Sequence, residues 1–386
     1  MLFDREIYSN SVPVNVVAVV PMDFDFMQVE KLFSSTCRNL GLSYKLHPIK
    51  LNFKDSSKAM KDIERIIIDK EGEFDEMELN WFILPNSMKH QYRVIKKISG
   101  QEQNPKVTQV TLVNTLGKKG FAAILTKILL QIASKVGNVP WAPKVSSALN
   151  HKVMLLGIDH KKDRMNSRED VVSYCSTTNR DLTKFHSNYY YESRSSETSV
   201  RINNILADCL SAYGKANGFL PDEIILLKIG CSDGQKQASS HKEVKDALTL
   251  IQEMNGYNPK FTYLIVNKSS SQKFFATHRG ITNPSHGTLI NSKVVSNKYD
   301  FYLISQHCNK GTVKPAHYEV LYTDSTMEEG VLQELMYNQS FNYMNWSGSI
   351  RVPSVLQYAS KLCEFISEHV NSSPESTRLN EHLFFI

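Results

Sequence analysis

No run of about 18 apolar residues occurs in the chain, so no membrane-spanning helix is expected. Cysteine is sparse: Cys37, Cys175, Cys209, Cys231, Cys308 and Cys363 are scattered, and none forms a CxxC pair. The scatter argues against a zinc framework and fits reduced thiols in the cytoplasm or nucleus. The opening MLFDREIYSNSVPVN carries acids and lacks a long apolar core, so no secretory signal is expected there. Internal repeats and low-complexity stretches are missing too. Charge of neither sign dominates: a net +6 permits a polyanionic partner without demanding one.

What the chain does have is an ordinary globular composition, 41% hydrophobic and 22% charged, over 386 residues. That length exceeds one ordinary core and predicts two domains. The first third alternates. VNVVAVVP (14–21), LNWFILP (79–85) and VTQVTLVN (107–114) read as buried strands. Between and after them, FMQVEKLFSSTCRNLGLS, SSKAMKDIERIIIDK, MKHQYRVIKKISG and GFAAILTKILLQIASKVGN carry helical spacing. Such alternation predicts an α/β fold with a doubly wound, mostly parallel sheet. The pattern breaks at the two prolines of GNVPWAPKVSSALNHK (137–152), where the domain boundary is expected. Beyond it, VMLLGID reads as a strand, and VVSYCST and KFHSNYYYES as antiparallel neighbours. A helix follows at 199–216, then a strand at 224–229, a helix at about 240–255, three more strands and two closing helices.

Within the first domain, Tyr92 and Lys96 share one face of a basic helix, Gln109 lies in the next strand, and Lys135 sits one turn beyond Gln131 near the end of the following helix. Lysines and polar donors from successive elements can converge on one anion, helped by a helix N-terminus after LPNS. Spacing alone leaves another reading open, with Tyr92 and Lys96 as surface residues and Gln109 as a solvated strand residue.

The stretches ILPNSMKHQYRVIKK, VTQVTLVN and LTKILLQIASKVGN resemble the MID domain of Argonautes, specifically of the Piwi branch. HYEVLYTDSTMEEGVLQELMYNQSFNYMNWSGSIRVPSVLQYASKL (317–362) resembles a PIWI domain. The resemblance implies a Rossmann-like MID domain at 1–145 followed by a ribonuclease H-like PIWI domain at 146–386. It further implies that Tyr92, Lys96, Gln109 and Lys135 grip the 5′ phosphate of a small single-stranded guide RNA. Gln131 falls where Piwi-branch proteins place a glutamine near a bound metal ion. The apolar tail Phe384-Phe385-Ile386 is expected to dock, carrying its carboxylate toward a cation, so the resemblance implies magnesium near Gln131 and Ile386. Full-length relatives begin with N-terminal and PAZ domains. This chain is expected to start at the MID domain, as a fragment or as a naturally short protein.

Active members cut RNA with two metal ions held by an Asp–Glu–Asp–His tetrad. The first Asp matches Asp159 and the Glu matches Glu197, but the second Asp position holds Ile229 and the His position holds Ser360. A hydrocarbon cannot coordinate a hard cation. No catalytic metal pair and no guided cleavage are therefore expected. Asp233, four residues on in the turn, is not expected to stand in for the missing bridge, because active relatives carry an acidic residue near there as well as their catalytic Asp. For the guide backbone, the resemblance points to Lys268, Lys310, Thr312, Lys314, Arg351, Gln357 and Tyr358, with Lys273 as a further basic residue. Three readings follow: a guide-binding, cleavage-dead Argonaute that pairs with complementary RNA and recruits proteins; an active guided endoribonuclease; and a protein scaffold that has lost RNA. The intact phosphate set favours the first. The expected location is cytoplasmic or nuclear, not secreted, with no membrane partner.

Overall fold

The computed structural model describes residues 8, 12–69, 77–85, 88–101, 106–144, 146, 149, 151–164, 166, 169–193, 201–230, 236–277, 280–295, 299–308, 310–370 and 379–386. Two compact units result, Met1–Trp141 with Phe365–Ile386, and Ala142–Glu364. The closing segment Phe365–Ile386 gathers with the first unit through its contacts.

The first unit runs β1 (Val14–Pro21), α1 (Met27–Leu40), β2 (Tyr44–Leu51), α2 (Ser56–Asp69), β3 (Met77–Leu84), α3 (Lys89–Gln101), β4 (Val107–Leu112), α4 (Val113–Leu116) and α5 (Phe121–Lys135). Its four-stranded sheet has the order β2-β1-β3-β4 and is parallel throughout. Every residue of β1 is buried, as expected of a central strand covered on both faces. Val14, Val16, Ala18 and Val20 enter one core with α1 and α5. Val19 faces the opposite core with Ile63 and Ile67 of α2 and Ile95 of α3. The two-residue period of the strand thus builds both layers. Gly41 ends α1 with φ of 69°, and the Leu42 N–H reaches back to the Cys37 carbonyl at 2.8 Å, a left-handed cap that glycine adopts without strain.

The second unit runs β5 (Val153–Lys162), β6 (Glu169–Thr177), β7 (Phe185–Ser193), α6 (Ile202–Asn217), β8 (Glu223–Ile229), α7 (Lys236–Glu253), β9 (Lys260–Asn267), β10 (Thr288–Ile290), β11 (Phe301–Ile304), β12 (Ala316–Thr323) and α8 (Glu329–Gln339). The last helix, α9 (Ser354–His369), carries the boundary between the units. The eight strands are ordered β10-β11-β12-β9-β8-β5-β6-β7, with β5, β8 and β9 parallel and the flanks antiparallel. β6 and β7 pair antiparallel as the sequence predicts. One face buries Met154, Leu156 and Ile158 under α6 and α7. The other face lies against the start of α9. There a Cβ on Gly157 would come within 2.5 Å of the Val355 carbonyl carbon. Only glycine lets β5 approach the helix backbone this closely.

Candidate functional site

Two clusters built from the expected residues stand in the fold, one in each unit. In the first unit, Tyr92 and Lys96 lie one turn apart on α3, Gln109 on β4, and Gln131 and Lys135 one turn apart on α5. Among the described residues β4 is the end strand of the sheet, and one of its backbone edges pairs with no described strand. Lys96 crosses to it from one face of the sheet, donating to the Thr108 carbonyl at 3.4 Å and to Thr108 Oγ1 at 3.2 Å. Lys135 comes from the other face and donates to the same carbonyl at 3.0 Å. Gln109 Nε2 donates to Gln131 Oε1 at 3.2 Å, leaving Gln109 Oε1 buried and without a partner.

The two lysines are 5% and 2% exposed, which is rare for this residue type. Burial drives the Lys96 ammonium down to about 8. Burial, and then repulsion from Lys96, lowers Lys135 well below the usual lysine range. Tyr92 keeps part of its ring exposed and meets His369 edge-on, the ring centroids 5.7 Å apart. Its ring lies 5.9 Å from Lys96 Nζ. The arrangement brings together the residues that spacing alone left open as surface groups, and both of its lysines donate to one backbone carbonyl.

The closing segment docks within this unit. Leu379, Leu383 and Phe385 are buried, and Phe384 packs edge-on against Phe365 at 5.5 Å. Ile386 is half-buried, its N–H donating to the Leu383 carbonyl at 3.3 Å. Sequence reasoning missed His369 and His382, which this docking brings in. Burial lowers both below the usual histidine range. His382 bonds the backbone of Lys135, a contact with no trace in sequence spacing.

In the second unit, Asp159 of β5 and Ser360 of α9 meet directly: Ser360 Oγ donates to Asp159 Oδ2 at 2.6 Å. Lys268, just past the end of β9, donates to Ser360 Oγ, also at 2.6 Å. Lys161 lies 4.0 Å from Asp159 Oδ2, donates to the Ser360 carbonyl at 3.3 Å and pairs with Glu364 at 2.8 Å. Ile229 ends β8, and at the Gly230 that follows a Cβ would lie 1.9 Å from Asn267 Oδ1, so a larger residue there requires the Asn267 side chain to turn aside. Glu197 and Asp233 lie outside the described residues. Among the described residues no group of three or more His, Cys, Asp or Glu is placed to hold a metal ion. By themselves Asp159, Ile229 and Ser360 do not fit a metal pair: Asp159 is the one carboxylate among the three, one of its oxygens accepts from the Ser360 hydroxyl, and the Lys161 ammonium stands 4.0 Å from that oxygen.

The residues expected along a guide backbone divide. Lys310 and Lys314 are exposed, and Thr312 is half-buried between them on a loop that Asn283 fastens through Gly311 and Val313. Arg351 is half-buried, donating to the Lys268 carbonyl at 3.3 Å and keeping Nε buried and unpartnered. Gln357 is half-buried and Lys273 exposed. Two expectations meet a different arrangement. Lys268 is turned inward onto Ser360, where burial lowers it to about 8. Tyr358 is completely buried, its hydroxyl donating to the Asn342 carbonyl at 3.0 Å and accepting from the Met344 N–H at 2.8 Å. Its phenol braces the chain and shows no free edge to a ligand. His317 stacks on Tyr302 at 4.2 Å within the sheet.

A Rossmann-like unit followed by a ribonuclease H-like unit is the architecture of the MID–PIWI lobe of an Argonaute. The Piwi domain family matches residues 81–371, and the chain belongs to that family. It is 32% identical over 308 residues to Piwi-like protein 1 of Gallus gallus, covering 79% of this chain and 35% of that protein. To Piwi-like protein Ago3 of Bombyx mori it is 33% identical over 304 residues, covering 76% of this chain and 32% of that protein. The chain thus spans about a third of the length of these relatives. The crystal structure of Drosophila Piwi superposes with a TM-score of 0.83 at 24% identity, over 100% of this chain and 52% of that one. The C-terminal lobe of a budding yeast Argonaute superposes with a TM-score of 0.79 at 17% identity, over 98% of this chain and 86% of that one. The fold is shared with both. A Kluyveromyces polysporus Argonaute solved with a guide RNA matches equally well, with a TM-score of 0.79 at 16% identity over 98% of this chain and 52% of that one.

Proposed function

We propose that this chain holds a small single-stranded guide RNA by its 5′ phosphate in the Tyr92, Lys96, Gln109, Gln131 and Lys135 cluster. In this reading it pairs the guide with complementary RNA without cutting it, in RNA-mediated silencing or as an RNA-loaded recruiter of other proteins. The observation that carries the reading is the convergence of two buried ammonium groups on one carbonyl, that of Thr108. Like charges out of water repel each other and lose hydration. A phosphate set between them neutralises both, and Gln109 and Tyr92 stand beside it as uncharged partners. Lys310, Thr312, Lys314, Arg351 and Gln357 serve the guide backbone, where contacts to phosphate position the strand without reading bases.

A magnesium ion suits the pocket with phosphate present. Its hard oxygen donors would be Gln131 and the terminal carboxylate of Ile386, whereas the lysines repel a bare divalent ion. Bound there, the ion would supply charge neutralisation to the phosphate. The broken set at Asp159, Ile229 and Ser360 supports loss of cleavage. The free thiols of Cys37, Cys175, Cys209, Cys308 and Cys363 support a cytoplasmic or nuclear location, and no described helix is long and apolar enough to cross a membrane.

The test is to purify the protein from its own cells and end-label the nucleic acid that accompanies it. Short RNA with a 5′ phosphate is expected, lost on substituting Lys96 and Lys135 together. Protein free of short RNA would overturn the reading in favour of a scaffold.

A further inference from the structure

The Asp159 cluster has more to it than missing ligands. A continuous donor chain runs Lys268 Nζ to Ser360 Oγ to Asp159 Oδ2, each step 2.6 Å. Asp159 is 4% exposed and Ser360 also 4%, so bulk water does little to screen the carboxylate. A second ammonium, on Lys161, stands 4.0 Å from the same oxygen and is shared with Glu364, which Lys361 also contacts at 2.8 Å. The described cluster therefore holds three lysines against two carboxylates, with Arg351 attached through the Lys268 carbonyl. Two of these links depend on the residue at 360. A hydroxyl both accepts from an ammonium and donates to a carboxylate.

We infer that Lys268, relayed by Ser360, is a built-in cation that takes the charge-balancing place of a divalent ion beside Asp159, and that it excludes such an ion even when a carboxylate is restored at position 229. The inference builds on the proposed loss of cleavage and adds its cause: the cleft is closed to metal by an internal counter-ion as well as by lost ligands. A divalent ion binding Asp159 through Oδ2 must displace the Ser360 hydroxyl, and through either oxygen it approaches a fixed positive charge in a buried setting, where repulsion is much stronger than in water. An added carboxylate improves the ligand set but leaves that charge in place. Lys268 is on this reading a positioning and excluding residue, not a catalytic one.

The experiment measures manganese binding to the whole chain by electron paramagnetic resonance, without RNA. The Ile229→Asp variant is expected to bind no more tightly than the starting chain. The Ile229→Asp/Lys268→Met variant should bind at least about tenfold more tightly, because a unit charge a few ångström away has gone. Ile229→Asp/Lys268→Arg, which restores a cation, should lose that gain. Should aspartate at 229 prevent folding, Ile229→Asn gives the same comparison with a neutral oxygen donor. Equal manganese binding with and without Lys268 would overturn the inference, whether both bind tightly or neither does. That result leaves the guide-binding reading standing, since no RNA enters the measurement; a starting chain that binds manganese tightly and cuts a guided target would remove both.

Discussion

Lys96 and Lys135, from helices on opposite faces of one sheet, donate to the same backbone oxygen, that of Thr108, at 3.4 and 3.0 Å. Among the described residues neither is paired with a carboxylate. Burial lowers both side chains, Lys96 to about 8 and Lys135 well below the usual lysine range, so each is costly to keep charged.

Replacing Lys96 with methionine should make the RNA-free chain more stable while removing its hold on 5′-phosphorylated RNA. The lowering of Lys96 from 10.5 to about 8 corresponds to a penalty on the order of 3 kcal/mol for its charged form. Methionine keeps most of the volume without the charge. Thermal melts and filter binding on the same preparation check the two halves, which are expected to move in opposite directions.

The pH dependence follows from the same lysine. Its pKa is lowered on folding, so between pH 8 and 10.5 the unfolded chain binds the extra proton. Stability of the RNA-free chain should therefore rise as pH climbs through that window, and the full penalty should be present below it. Affinity for a 5′ phosphate should run the other way and fall above about pH 8, as the ammonium becomes a neutral amine. Melting and binding series from pH 7 to pH 10 read both trends.

Gly157→Ala should destabilise the second unit severely. The added carbon would lie 2.5 and 2.6 Å from the carbonyl carbon and oxygen of Val355, which are backbone atoms of α9 and cannot rotate away. A loss of more than about 3 kcal/mol is expected from such overpacking. Denaturant unfolding checks it, and a shift under 1 kcal/mol would show that α9 slides to make room.

Most of the fold is legible in the sequence because its central strands are short apolar runs and its helices end on caps such as Gly41. β2 is not. Tyr44–Leu51 carries exposed Lys45, Pro48 and Lys50, so it reads as loop, and it forms a strand only because an edge position tolerates a proline that donates no hydrogen bond. The Lys96–Lys135 cluster is only partly legible: helical spacing puts Tyr92 with Lys96 and Gln131 with Lys135 one turn apart, but only the fold brings both lysines to the Thr108 carbonyl. The neighbours of Asp159 are only half so. Lys161 follows Asp159 by two residues on one strand and so shares its face, a signal available in the sequence. Lys268 meets Ser360 across 92 positions of chain, and only the folded sheet brings them together. Tyr358 looks like an available phenol and is a buried brace for the same reason.

Lys228 and Glu243 should tolerate joint removal better than single removal. The pair lies at 2.6 Å with Glu243 wholly buried and also accepting from the Tyr263 hydroxyl. Glu243→Leu alone strands an ammonium in the interior and should cost about 3–5 kcal/mol, whereas Lys228→Met/Glu243→Leu should recover most of that. Urea unfolding of the three chains gives the coupling energy directly.

The most direct measurement loads the protein with a 5′-phosphorylated guide, adds a labelled complementary RNA with magnesium or manganese, and follows both strands on a denaturing gel. Retention of guide and target with the target intact is the predicted result. A target cut opposite the guide, or a guide held equally well without its 5′ phosphate, would contradict it.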